Sequence, residues 1–233
     1  MTPHSPSGPP LSEQPVVVFV GAFGSGKTEV AINYARAALA AGEAPCLADL
    51  DVVTPYFRVG DFRRQLEREG LRIIAPEGQL TSYELPALPR EISGALHARD
   101  PHLVLDVGGD PEGARLLGVY APDIESRGYD MWVVVNPFRP STASREAIAE
   151  LSRLIQDASQ LRLTGLVANP HLGTMTRSEH VRRGLETVEN SAEALGLPVV
   201  FVAAEESLAN EVNTGGLPLL PLRLTLRLPW QSS

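Results

Sequence analysis

From residue 15 almost to its end, the chain alternates short apolar runs with segments of helical period. The runs are Val16–Gly21, Pro45–Leu50, Leu71–Ala75, His102–Val107, Met131–Asn136, Leu163–Ala168 and Pro198–Val202. Between them, helical spacing covers 27–41, 59–69, 84–98, 111–127, 142–157, 177–195 and 205–212. A strand that is apolar on both faces must be covered on both, and strands separated by helices pair in parallel. The pattern predicts a three-layer α/β/α domain with a mostly parallel central sheet over residues 15–216. Gly42, Gly70 and Gly196 follow helical segments, where a left-handed residue ends a helix well. With 233 residues and no internal repeat or composition shift, one such domain is expected.

The flanks differ from this body. Residues 1–14 are rich in Pro and Ser with no apolar stretch, which reads as a disordered leader and not a signal peptide. Residues 217–233 form an extension in which Leu222–Leu228 alternates with period two between Pro221 and Pro229, as an edge strand or a segment packed on the domain would. The net charge of -8 disfavours nucleic acid and anionic lipid as partners. Cys46, the one cysteine, excludes an internal disulfide and fits a cytoplasmic location. No apolar run is long enough to cross a bilayer.

Within the first strand-to-helix turn lies Gly21-Ala22-Phe23-Gly24-Ser25-Gly26-Lys27-Thr28, and Lys27 is the only lysine of the chain. Every other one of the 20 Lys and Arg positions is an arginine. A compact ammonium on a thin stem fits inside a loop wrapped round phosphates, where a broad guanidinium would displace the backbone donors. Glycines let successive N–H groups turn inward, and the helix that opens at Lys27 and Glu29 adds its positive end. Strand, glycine loop and helix occur in the order this motif requires. Residues 21–29 are therefore the expected nucleotide-binding set, with Lys27 spanning the β and γ phosphates and the Thr28 hydroxyl on Mg²⁺.

Such a site needs carboxylates opposite the loop. Asp106 ends the apolar run that starts at His102, at the crevice edge of a parallel sheet, and is the expected metal-side acid. Gly109 could direct a backbone N–H at the γ-phosphate, making residues 108–113 a switch. Asp49 and Asp51 follow the second strand. Asp51 could orient the attacking water or reach the metal, while Asp49 could cap the turn. The expected catalytic set is thus Lys27, Asp51 and Asp106, and the metal set Thr28, Asp51 and Asp106. Tyr56, Phe57 and Arg58 either pack on the domain or form a partner-facing switch surface. The histidines show no metal-ligand spacing, and no Ser/His/Asp nucleophile arrangement is legible.

Taken together, Gly21–Thr28, the Asp49-x-Asp51 pair and Asp106-x-x-Gly109 resemble the MinD/ParA/cobyrinic-acid-synthase-like branch of P-loop NTPases, the SIMIBI class. The resemblance spans roughly residues 15–212. It implies a P-loop NTPase fold, Mg²⁺ with ATP or GTP, and slow hydrolysis controlled by a protein partner. It also implies a base contact from the loop after a late strand, here Asn169-Pro170-His171-Leu172. Guanine-specific members carry Asn-Lys-x-Asp there, so ATP is expected over GTP. Ala22 stands where the MinD/ParA subgroup has its signature lysine, so a homodimer would close without that device. Arg139, in Asn136-Pro-Phe-Arg139, is either a phosphate or partner contact or a solvated cation. The expected function is an ATPase acting as a nucleotide switch. The alternatives are a dethiobiotin- or cobyrinic-acid-synthase-like ligase, with Thr81, Tyr83 and Arg90 near its substrate, and a GTPase metallochaperone-like assembly factor.

Overall fold

The structure, a computed structural model, describes residues 11–51, 59–75, 90–97, 102–109 and 111–225. Eight strands of the described residues form one sheet: β1 (Val16–Val20), β2 (Pro45–Leu50), β3 (Arg72–Ile74), β4 (His102–Val107), β5 (Tyr129–Val135), β6 (Gly165–Ala168), β7 (Val199–Glu205) and β8 (Leu219–Leu222). Their order is β3-β2-β4-β1-β5-β6-β7-β8, and every adjacent pair is parallel. Among the described residues six helices cover it: α1 (Lys27–Ala40), α2 (Arg63–Arg68), α3 (Arg90–His97), α4 (Pro111–Arg127), α5 (Arg145–Ser159) and α6 (Ser178–Leu195). This is the three-layer α/β/α arrangement expected from the alternation.

Strand pleating sorts side chains between two cores. Val16, Val18 and Val20 join the core beneath α3 to α6, while Val17 and Phe19 join the one beneath α1 and α2. The second core carries a run of edge-to-face aromatic contacts from Tyr34 through Phe19 and Trp132 to Phe201, with ring centroids 5.3–5.8 Å apart. Such pairs add to the area they bury. Because α1 and α4 leave adjacent strands for opposite faces, a crevice opens at the carboxyl ends of β1 and β4.

Two expected elements differ. The helix predicted over 205–212 is reduced to one 3₁₀ turn, Glu206–Leu208, because β7 runs on to Glu205 and pairs Ala203 with Leu220 and Glu205 with Leu222. A segment that short gains little as a helix, whereas a strand gains a ladder. The tail strand lies at Leu219–Leu222, ahead of the period-two run, and Pro221 fits there because β8 is an edge. Beyond it the backbone crosses α1: Arg223 N–H donates to Asn33 Oδ1 at 2.9 Å and Thr225 N–H to Glu29 Oε1 at 2.8 Å.

Of the leader, residues 11–14 are described, and Ser12 N–H donates to the Tyr34 hydroxyl at 2.8 Å. Residues 1–10, Tyr56, Phe57 and Arg58, Thr81 and Tyr83, the Arg90 side chain, Asp110 and residues 226–233 lie outside the described residues. No described helix is long and apolar enough to cross a membrane.

Candidate functional site

At the end of β1 the chain turns through Gly21–Gly26 and enters α1 in six residues. Gly24 and Gly26 have φ of 76° and 84°, a conformation that side chains with a Cβ adopt poorly. A Cβ on Gly26 would also collide with Asn169 Nδ2. Ser25 N–H donates to Ala22 carbonyl at 3.0 Å and closes the turn. The loop thus presents its backbone to the crevice at the helix start, the geometry that binds anions.

Lys27 is only 7% exposed, and its Nζ lies 2.7 Å from Asp51 Oδ2. Burial works against the ammonium, but the fields of Asp106 and Asp51 overcome it, and the Lys27 pKa is raised. Asp106 is fully buried and neither of its oxygens has a hydrogen-bond partner among the described residues. Burial pushes its carboxyl up to about 6, against the lowering effects of Lys27 and the neighbouring Thr28 hydroxyl. The parallel register of β2 and β4 sets Asp49 beside Asp106. Burial, then Asp106, raises Asp49 to about 7, although its two oxygens accept N–H bonds from Asp51 at 3.0 Å and Gly60 at 3.2 Å. Asp49 is therefore a turn brace that holds Asp51 in place.

Three buried carboxylates around one ammonium leave the wall short of positive charge. No group of three or more His, Cys, Asp and Glu side chains is gathered to hold a metal alone among the described residues. Mg²⁺ does not need one, since it is commonly held by one or two protein oxygens together with phosphates and water. The two unpartnered Asp106 oxygens beside Thr28 fit that role.

Gly109 packs on the loop itself: a Cβ there would lie 2.9 Å from Phe23 N and 3.0 Å from Ala22 C. On the other flank, Asn169 Nδ2 donates to Ser25 carbonyl at 2.8 Å, and Arg139 Nε donates to the adjacent Gly24 carbonyl at 3.0 Å. Asn136, at the end of β5, binds residue 171 through both backbone groups, giving its Nδ2 to His171 carbonyl at 3.0 Å and taking His171 N–H at 3.2 Å. The His171 ring is held neutral at about 4, first by burial and then by the Arg139 charge.

The structure thus brings Gly21 to Glu29, Asp51, Asp106, Gly109 and Asn169 around one crevice. The side chains of two residues of this set are engaged elsewhere or exposed. The Glu29 carboxylate turns away to accept Asn33 Nδ2 and Thr225 N–H, so only its backbone serves the helix end. The Phe23 side chain is 76% exposed. The sequence reading missed Asn136 as a brace. Its signal was the recurrence of Asn-Pro after consecutive strands, at Asn136-Pro137 and Asn169-Pro170.

No protein-family model matches the sequence, and no curated protein matches it. Solved structures do resemble the fold. They include the cell division protein FtsY of Thermotoga maritima (19% identity, TM-score 0.55, 85% of this chain and 65% of that one). Chloroplast FtsY of Physcomitrella patens gives 19% identity and a TM-score of 0.57 over 82% and 59% of the two chains. The signal recognition particle 54 kDa protein of Aeropyrum pernix, solved with GDP, gives 19% and 0.53 over 86% and 43%. This chain therefore spans less than two thirds of each of these proteins. What these structures share with the chain is the fold, a parallel sheet covered by helices on both faces.

Proposed function

We propose that the chain binds a nucleoside triphosphate with Mg²⁺ and hydrolyses it as a switch, with ATP as its nucleotide. The observation that carries the reading is the buried Lys27–Asp51 pair at the root of a left-handed glycine loop, beside an unpartnered Asp106. Asp51 and a bound phosphate compete for the same ammonium. Once Lys27 turns to the β and γ oxygens, the Asp51 carboxylate would accept a hydrogen bond from the attacking water. Lys27 and the loop N–H groups then face the charge of the transferring phosphoryl group, so catalysis is positioning and electrostatics. Thr28 and Asp106 would hold Mg²⁺, whose chemistry is to neutralise phosphate charge.

Movement of residues 51–61 and 108–115 on phosphate release would carry the nucleotide state to a protein partner. Asp49, tied to Asp51 N–H and Gly60 N–H, connects the first of these segments to the site. The ATP preference rests on Leu172, which offers no acceptor for the N–H donors of guanine. Phosphate release under single-turnover conditions tests the reading. Mg·ATP should be hydrolysed faster than Mg·GTP, and the reverse order would overturn the preference. Asp51→Ala should slow hydrolysis by at least about tenfold with ATP affinity unchanged or higher, because it removes both the water acceptor and the rival for Lys27. An unchanged rate would remove Asp51 from the mechanism.

A further inference from the structure

Arg139 is exposed, yet its position is closely fixed. Its N–H donates to Asn136 carbonyl at 3.1 Å and its carbonyl accepts Thr142 N–H at 3.0 Å. The Thr142 hydroxyl closes the same turn on Asn136 carbonyl at 2.6 Å. The side chain lies across the shoulder of the phosphate loop, with Cδ, Nε and Cζ each 3.1–3.6 Å from where a Gly24 Cβ would stand. Only Nε is engaged, on Gly24 carbonyl; the two terminal nitrogens make no hydrogen bond to a described residue. On the next loop carbonyl sits Asn169, whose Oδ1 is likewise without a bond to a described residue. Arg139 and Asn169 therefore grip consecutive carbonyls of one loop from two strand ends. Between them they offer a flat cationic face and an acceptor.

We propose that Arg139 is a base-binding residue whose guanidinium plane stacks on the purine ring of the bound nucleotide, while Asn169 Oδ1 meets its edge. A planar guanidinium is attracted to an aromatic face and, anchored by one nitrogen, loses little freedom in stacking. A free, solvated arginine has no reason to have its backbone and Nε both fastened to this crevice. His171 beside it is neutral, so Arg139 carries the charge of this wall. The proposal rests on nucleotide binding at the phosphate loop.

Calorimetric titration with Mg·ATP and with Mg·tripolyphosphate, which has the phosphates and no base, separates the two ideas. Arg139→Ala should weaken tripolyphosphate only as far as the lost Gly24 brace matters, and should weaken ATP by a further factor of about 3 to 30, the span of a cation–π contact. Arg139→Lys, which keeps the charge and loses the plane, should recover only part of the ATP affinity. Equal losses for both ligands, no loss for either, or full rescue by lysine would overturn stacking and leave nucleotide binding standing. A wild-type chain that binds neither ligand would overturn nucleotide binding, and the Arg139 proposal with it.

Discussion

The two flanks of the phosphate loop follow opposite plans. On the β5–β6 side, Asn136, Asn169 and Arg139 give neutral or cationic donors to backbone carbonyls, at 2.8–3.0 Å, and the loop is held in shape before any ligand arrives. On the β2–β4 side, Asp49, Asp51 and Asp106 crowd one ammonium, and the buried Asp106 oxygens have no hydrogen bond of good geometry from a described residue. The first flank is preorganised; the second is a deficit of positive charge that a cation would relieve. A site of this kind binds its ligand by filling the second flank against the rigidity of the first.

The largest expected effect is on the charged flank. The Asp106 carboxyl is raised from 3.8 to about 6, so the fold holds its proton more tightly than the unfolded chain does. Asp106 and Asp49, the latter raised to about 7, therefore favour the fold at pH below about 4 and progressively less as pH rises to about 7. Chemical denaturation of the ligand-free chain should show stability falling across that window. Asp106→Asn should flatten the slope and stabilise the ligand-free chain by about 3 kcal/mol at pH 8, the equivalent of some two pKa units. It should also weaken Mg²⁺-dependent nucleotide binding. A destabilised Asp106→Asn would mean that the carboxylate is satisfied by a partner and that the two flanks do not differ.

On the braced flank the change has the opposite sign and is smaller. Asn169→Ala removes a buried hydrogen bond to Ser25 carbonyl and should destabilise the chain by about 1–2 kcal/mol, read by the same denaturation experiment. Nucleotide affinity should fall with it, since the loop loses a brace. Unchanged stability would show that this flank does not hold the loop.

How legible the site was in the sequence follows the same division. Gly21–Thr28 could be read because glycine and lysine are demanded there by local backbone and charge. Asp106 could be read because an acid at the end of an apolar strand points at the crevice. The roles of Asn136, Asn169 and Arg139 depend on β5 pairing with β1 and β6 with β5, a strand order that no local spacing encodes. Glu29 is the counterexample within the motif: its carboxylate serves the tail at Thr225, 196 residues away, which only tertiary contact reveals. Within the 217–233 extension, pairing with β7 selects Leu219–Leu222 as the edge strand, a choice that period-two alternation alone does not make.

The central claim is that Lys27 leaves Asp51 to bind phosphate, and titration calorimetry with Mg·ATP on the wild type and Lys27→Ala tests it most directly. The account predicts saturable one-site binding to the wild type and none detectable for Lys27→Ala at the same concentrations. Equal affinity for the two would contradict it.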